Sequence, residues 1–216
     1  MKSIKIAQVP GALLLGLMLM CAPALAAEKS PARQTLENTL NQVIAVLGKP
    51  EFKDPAKNAP LMAEVKEQIY GICDFQEFSR RTLGAYWRSF TPDQQSNFID
   101  VFGSLLCETY KSKLLEYDGQ QINFVSEIPF ENSNRLVIRT TIPDGDKQIP
   151  VDYRMIEKNG VWKVYDMIIE NNISLVQNYL GQFQEILSKN KPDYLIDLVG
   201  EKAAAAKAKN DAVHSK

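Results

Sequence analysis

Asp152, Asp166 and Glu170 lie in or beside stretches where apolar and polar residues alternate. A carboxylate half-buried in such a stretch can have its pKa raised enough to act as a general acid or base. Arg154 lies two residues from Asp152 and offers these carboxylates an ion-pair partner, which is the structural use of the same residues. No nucleophile or oxyanion donor accompanies them, so no catalytic residue is assigned. The remaining catalytic reading is a small cone-shaped α+β enzyme that holds an apolar substrate against Asp152 or Asp166 as base.

Other chemistries are excluded more directly. The single histidine, His214, is the third residue from the C-terminal end, in an alanine- and lysine-rich stretch. Histidine-dependent triads and histidine metal sites are therefore ruled out, and no metal or cofactor is expected. Gly145 and Gly160 fit turns, and no glycine-rich phosphate loop occurs. No basic run interleaved with aromatics points to nucleic acid, and no polybasic patch points to a membrane surface.

Cysteine chemistry depends on the compartment. Lys2 and Lys5 precede an apolar run from Gly11 to Ala22, and Ala24-Leu25-Ala26 supplies the small residues of a cleavage site. Residues 1–26 read as a signal peptide cut near Ala26, because the run falls short of the roughly 20 apolar residues that span a bilayer. Met20 before Cys21 is not the small residue that a lipoprotein acylation site requires. The mature chain then has 23 basic against 26 acidic residues, and its cysteines reduce to Cys73 and Cys107. In an oxidising compartment these are expected to form one disulfide. If the helices carrying them pack antiparallel, each lies about 24 Å from the connecting turn at 1.5 Å per residue. The alternative is two buried thiols acting as small hydrophobes.

The elements that must position these residues are legible as patterns. Ser30-Pro31 opens a helix with Leu36, Leu40, Val43, Ile44 and Leu47 on one face, and a second runs from about Ala59 to Ile72. Asp74-Phe75-Gln76-Glu77 resembles a capping box for a third, reaching about Ser89. Thr91-Pro92-Asp93-Gln94 resembles another, for a long fourth helix ending near Asp118-Gly119. From Gln121 the period becomes two, over 121–128, 135–142, 148–157 and 161–169, which predicts an antiparallel meander. An Asn159-Gly160 turn pairs Met155 with Val164, Tyr153 with Asp166 and Val151 with Ile168. Ser174 begins a further helix, a short one follows from Pro192 to Val199, and 201–216 reads as a frayed, solvated tail. The fold class is α+β, one domain over 27–200.

That register puts Val151, Tyr153, Met155, Val164 and Ile168 on one face of the hairpin. Helical spacing puts Phe102, Leu106 and Tyr110 on the long helix and Leu175, Tyr179 and Phe183 on the one after the sheet. One apolar cavity touching all three elements is the candidate site.

The choice between an ordinary core and a ligand cavity comes from a resemblance. Leu83-Gly84-Ala85-Tyr86-Trp87-Arg88, then Val151-Asp152-Tyr153-Arg154-Met155, then Gly160-Val161-Trp162-Lys163-Val164-Tyr165-Asp166 and Ser174-Leu175-Val176-Gln177-Asn178-Tyr179 resemble the MlaC family. This family comprises the periplasmic phospholipid-binding components of the Mla transport system, also called toluene-tolerance proteins. The likeness extends over about Ser30 to Val199. Two departures stand out: Met167 to Asn172 replaces a glycine-containing link, and the two cysteines are not a family-wide feature. The resemblance implies a helical shell on a twisted antiparallel sheet of about four strands, with acyl chains between them and the headgroup near solvent. It also implies a periplasmic lipid carrier that docks with an inner-membrane ABC-type complex and an outer-membrane lipoprotein complex, maintaining outer-membrane lipid asymmetry without catalysis.

Overall fold

Ser30 caps the first helix, α1 (Pro31–Leu47), by accepting a hydrogen bond from the Arg33 amide, with proline in the first helical turn. The computed structural model describes residues 28–170 and 173–214, so the signal-peptide reading, with Cys21, lies outside the described residues. Among the described residues no helix is long and apolar enough to cross a membrane.

After a 3-10 turn at Pro50–Lys53 come α2 (Asn58–Ile72), α3 (Phe75–Leu83) and α4 (Pro92–Leu115). Thr91 and Gln94 complete the capping box of α4. At α3 only half of the expected box forms. Asp74 accepts from the Glu77 amide, but the Asp74 amide donates to the Val164 carbonyl, and the Glu77 carboxylate turns towards Arg80, Arg81 and Lys158. The third helix also stops short of Ser89. Gly84 adopts φ 57°, and a Cβ there would lie 3.0 Å from Leu180 Cδ1, so this glycine both turns the chain and admits the helix after the sheet. The chain continues as a 3-10 helix over Gly84–Ser89.

The sheet has the sequential antiparallel order β1 (Asn123–Pro129), β2 (Arg135–Asp144), β3 (Lys147–Lys158), β4 (Val161–Ile169), with a two-residue β5 (Ile173–Ser174) on β4. Asn159 and Gly160, at φ 54° and 79°, make the two-residue turn between β3 and β4. Met155 pairs with Val164 as the turn dictates. Beyond that pair the expected register fails. Arg154 faces Asp166, Tyr153 faces Met167, Asp152 faces Ile168 and Val151 faces Ile169, because Tyr165 is an extra residue in β4. Such a bulge shifts every later side chain of the strand to the other face.

Two helices complete the chain, α5 (Leu175–Leu187) and α6 (Pro192–His214). The expected short helix and frayed tail are instead one continuous helix lying along α4. Leu195, Val199 and Ala203 are buried, and Asn210 Nδ2 donates to the Glu108 carbonyl at 2.8 Å. Alanine costs a helix least, and it lets α6 approach α4 closely, so a segment without an apolar stripe still docks.

Candidate functional site

The interior lies between the sheet and helices α4 and α5. β2 presents Leu136 and Ile138 to it, β3 presents Val151, Tyr153 and Met155, and β4 presents Val164, all buried. Across from them, α4 and α5 contribute an aromatic cluster. Phe98 and Phe102 stack at 5.6 Å, Phe183 meets both edge-on at 5.6 Å, and Tyr179 meets Phe102 edge-on at 5.0 Å. These are the offset and T-shaped arrangements that aromatic quadrupoles favour.

Ten of the eleven residues proposed from sequence join this one apolar cluster: Phe102, Leu106, Val151, Tyr153, Met155, Val164, Leu175 and Phe183 as buried members, with Tyr110 and Tyr179 packed against it. Ile168 does not. The bulge turns it to the face shared with Asp152, while Met167 and Ile169 take the inward positions. Those two, with Phe98, Leu136 and Ile138, are among the interior residues that the sequence reading leaves out. Ile138 was within reach, because the tight turn between Asp144 and Lys147 sets it opposite Tyr153. Met167 and Ile169 were not, since nothing in an alternating pattern marks which residue of a strand bulges.

The polar atoms of the interior are few and neutral. Burial raises the Tyr153 hydroxyl well above its usual range, against a hydrogen bond with Thr140. Burial likewise raises Tyr110 and Tyr179, and the neighbouring Tyr110 adds to the shift at Tyr179. All three therefore stay uncharged at neutral pH. The Thr140 hydroxyl donates to the Val151 carbonyl at 2.9 Å and does not point a free donor into the interior.

The carboxylates are committed elsewhere. Asp166, 1% exposed, accepts from Arg154 Nη1 at 2.9 Å, from the Ser174 hydroxyl at 2.8 Å and from the Val176 amide at 3.0 Å. Ser174 in turn caps α5 by accepting from the Gln177 amide. This network ties the end of the sheet to the start of α5 and leaves Asp166 little capacity to take a substrate proton. Asp152 is held by Arg139 at 3.3 Å on the outward face. Glu77 is also buried. Burial alone would raise its carboxyl, but hydrogen bonding from Arg80 and the charges of Arg81, Arg80 and Lys158 outweigh that and hold it at about 2.

The walls of the interior meet. Phe98, Phe102, Ile138 and Met155 are wholly buried, and two surface hollows lie elsewhere: one of about 140 Å³ between α2 and α4, and one of about 440 Å³ between α4 and α6. A ligand entering the interior must exchange wall-to-wall contacts for contacts with itself, which costs little when the ligand is as apolar as the walls. Among the described residues no cluster of potential metal ligands is found.

The family model described as MlaC protein matches residues 37–201. The chain belongs to the MlaC family. The toluene tolerance protein ttg2D of Pseudomonas putida is 25% identical over 207 residues, 93% of this chain and 94% of that protein. The Haemophilus influenzae intermembrane phospholipid transport system binding protein MlaC is 27% identical over 144 residues, 65% of this chain and 67% of its own. A phospholipid-binding protein from Ralstonia solanacearum, solved in complex with a phospholipid, superposes with a TM-score of 0.74 at 25% identity, over 82% of this chain and 99% of that one. The MlaC segment thus contains all of β1 to β5 and α2 to α5, the elements that build the interior.

Proposed function

We propose that this chain is a periplasmic phospholipid carrier whose lipid tails insert between the inner face of the sheet and helices α4 and α5. The observation that carries this reading is the single apolar interior made by α4, β3, β4 and α5, in a chain similar to a protein solved with a phospholipid bound. Its lining comprises Phe102, Leu106 and Tyr110, then Val151, Tyr153, Met155 and Val164, then Leu175, Tyr179 and Phe183, with Met167 and Ile169 in place of Ile168.

The energetics suit a carrier. A buried methylene is worth about 0.8 kcal/mol, so two long acyl chains need more than ~20 kcal/mol of gross shielding from water. An interior as apolar as a bilayer supplies that shielding, and transfer between the two is then close to thermoneutral. The barrier is the water-exposed intermediate. Docking to an inner-membrane ABC-type complex at one end of the journey and an outer-membrane lipoprotein complex at the other removes that exposure. Lipid movement between them serves outer-membrane lipid asymmetry.

The enzyme alternative needs an aspartate facing the interior with a lone pair to spare. Asp166 carries three hydrogen bonds and Asp152 faces outward with Arg139, which supports the carrier reading over it. The test is lipid extraction from the purified chain followed by mass spectrometry, with delipidated protein then offered phospholipid vesicles. Recovered and rebound diacyl phospholipid supports carriage, whereas turnover of an added ester or ketone without lipid retention would favour the enzyme.

A further inference from the structure

Cys73 and Cys107 are free thiols in this structure, so the bond expected from their matched heights is not formed. Cys73 ends α2 and is bridged to Val164 of β4. The Asp74 amide donates to the Val164 carbonyl at 2.8 Å, and Lys163 Nζ donates to the Gly71 carbonyl, so the α2–α3 junction is stitched to the sheet on both sides of Cys73. Cys107 lies on α4, the opposite wall.

What brings the walls together here is the pair of rings flanking Cys73. Tyr70 and Phe75 pack at 4.6 Å between centroids, and a Cβ at Gly103 would lie 3.2 Å from the Tyr70 hydroxyl and 3.3 Å from Phe75 Cδ1. Gly103 is one helical turn before Cys107, so the Tyr70 hydroxyl lies beside the turn of α4 that leads to the Cys107 sulfur. Both cysteines pack against the same core. Both are half-buried. Cys107 lines the solvent-open hollow between α2 and α4, beside Lys66 and Lys111, whereas Cys73 is not among the residues lining it.

We propose that Cys73 and Cys107 form an oxidisable dithiol, with Cys107 the thiol that meets an external disulfide and Cys73 the one that resolves the adduct. This goes beyond lipid carriage and stands independently of it. In the first step the Cys107 thiolate attacks one sulfur of a small-molecule or protein disulfide, forming a mixed disulfide and releasing one thiol. Cys73 then loses its proton and attacks the Cys107 sulfur, closing the internal bond and releasing the second thiol. One external disulfide is reduced to two thiols as this dithiol loses two electrons and two protons.

The assignment of roles follows from environment. Burial raises both thiols, but the neighbouring Tyr70 hydroxyl and the Lys66 charge draw Cys107 back down, whereas burial and then the Cys107 charge push Cys73 up to about 12 against the lowering charge of Lys163. The thiolate is the nucleophile, and the sulfur bordering the open hollow is the one an external disulfide reaches first. Once closed, the bond joins the end of α2, itself bridged to Val164 of β4, to α4, the helix that carries Phe98 and Phe102.

The test uses the mature chain without residues 1–26, whose cysteines are Cys73 and Cys107, reduced, desalted and incubated with oxidised glutathione, with free thiols then alkylated and counted by mass. The expected product is a monomer that takes up no alkylating agent and carries no glutathione. Cys73→Ser is expected to accumulate a glutathione adduct on Cys107, and Cys107→Ser to remain unmodified at Cys73 over the same period. Wild-type protein that keeps two alkylatable thiols would overturn the proposal. So would a Cys107→Ser variant that is glutathionylated as fast as Cys73→Ser, since that reverses the order of attack.

Discussion

Arg154 Nη1 lies 2.9 Å from Asp166 Oδ2 across β3 and β4, and the bulge at Tyr165 is what makes them partners. The carboxylate is almost wholly enclosed, the guanidinium is one-third exposed, and the Ser174 hydroxyl and Val176 amide complete the site. Removing one member of such a pair leaves the other charge without compensation. Asp166→Ala is therefore expected to lower unfolding free energy by about 3–5 kcal/mol. Urea titration followed by circular dichroism measures it, and a loss below about 1 kcal/mol, the scale of an exposed pair, would contradict the structural role.

The same bulge makes a prediction about lipid. Met167 faces inward opposite Tyr153, and Ile168 faces the other way opposite Asp152. A carboxylate placed among acyl chains must be desolvated or protonated. Met167→Glu is expected to strip most bound phospholipid while Ile168→Glu keeps it, with both variants checked for folding by circular dichroism. The reverse order would place the tails on the other face of the sheet, and equal retention would mean that the tails do not meet the end of β4.

Glu77 predicts an acid-sensitive fold. Its carboxyl is held at about 2 in the folded protein against an ordinary 4.5. A depressed carboxyl stabilises the fold above its unfolded pKa, and that contribution is lost as pH falls through the folded value. Glu77→Gln is expected to cost about 2–3 kcal/mol at pH 7, with the gap from wild type closing between pH 4.5 and about 2. Unfolding free energies measured across that window check it. A gap that stays constant down to pH 2 would mean that the carboxylate is not held by Arg80, Arg81 and Lys158 as described.

The helical C-terminus is also testable. Truncation after Lys202 removes Ala203, which is 5% exposed, and the hydrogen bond from Asn210 to the Glu108 carbonyl, and so uncovers part of α4. The midpoint of thermal unfolding is expected to fall by several degrees, since ~1 kcal/mol shifts a domain of this size by roughly 2–4 °C. An unchanged midpoint would show that the last turns of α6 contribute nothing to the fold.

Most of the architecture was legible because its signals are local. The capping residues Ser30 and Thr91, the Asn159-Gly160 turn and the apolar spacing on α4 each act within a few residues, and each behaves as read. The misreadings share a non-local cause. The third helix ends early because Gly84 makes room for Leu180, a residue almost a hundred positions away. The tail is helical because α4 offers it a surface. Alternation puts Ile168 on the inner face, but the bulge, held by partners of Asp166 drawn from β3, β5 and α5, inserts one residue and rotates the end of the strand to the other face.

The central claim is that the interior carries phospholipid, and native mass spectrometry of the intact chain purified without detergent tests it most directly. The expected spectrum shows a lipid-bound species whose released ligand fragments as a diacyl phospholipid, lost on delipidation and regained on incubation with phospholipid vesicles. A chain that is folded, carries no lipid, and takes none up from vesicles after delipidation would contradict it.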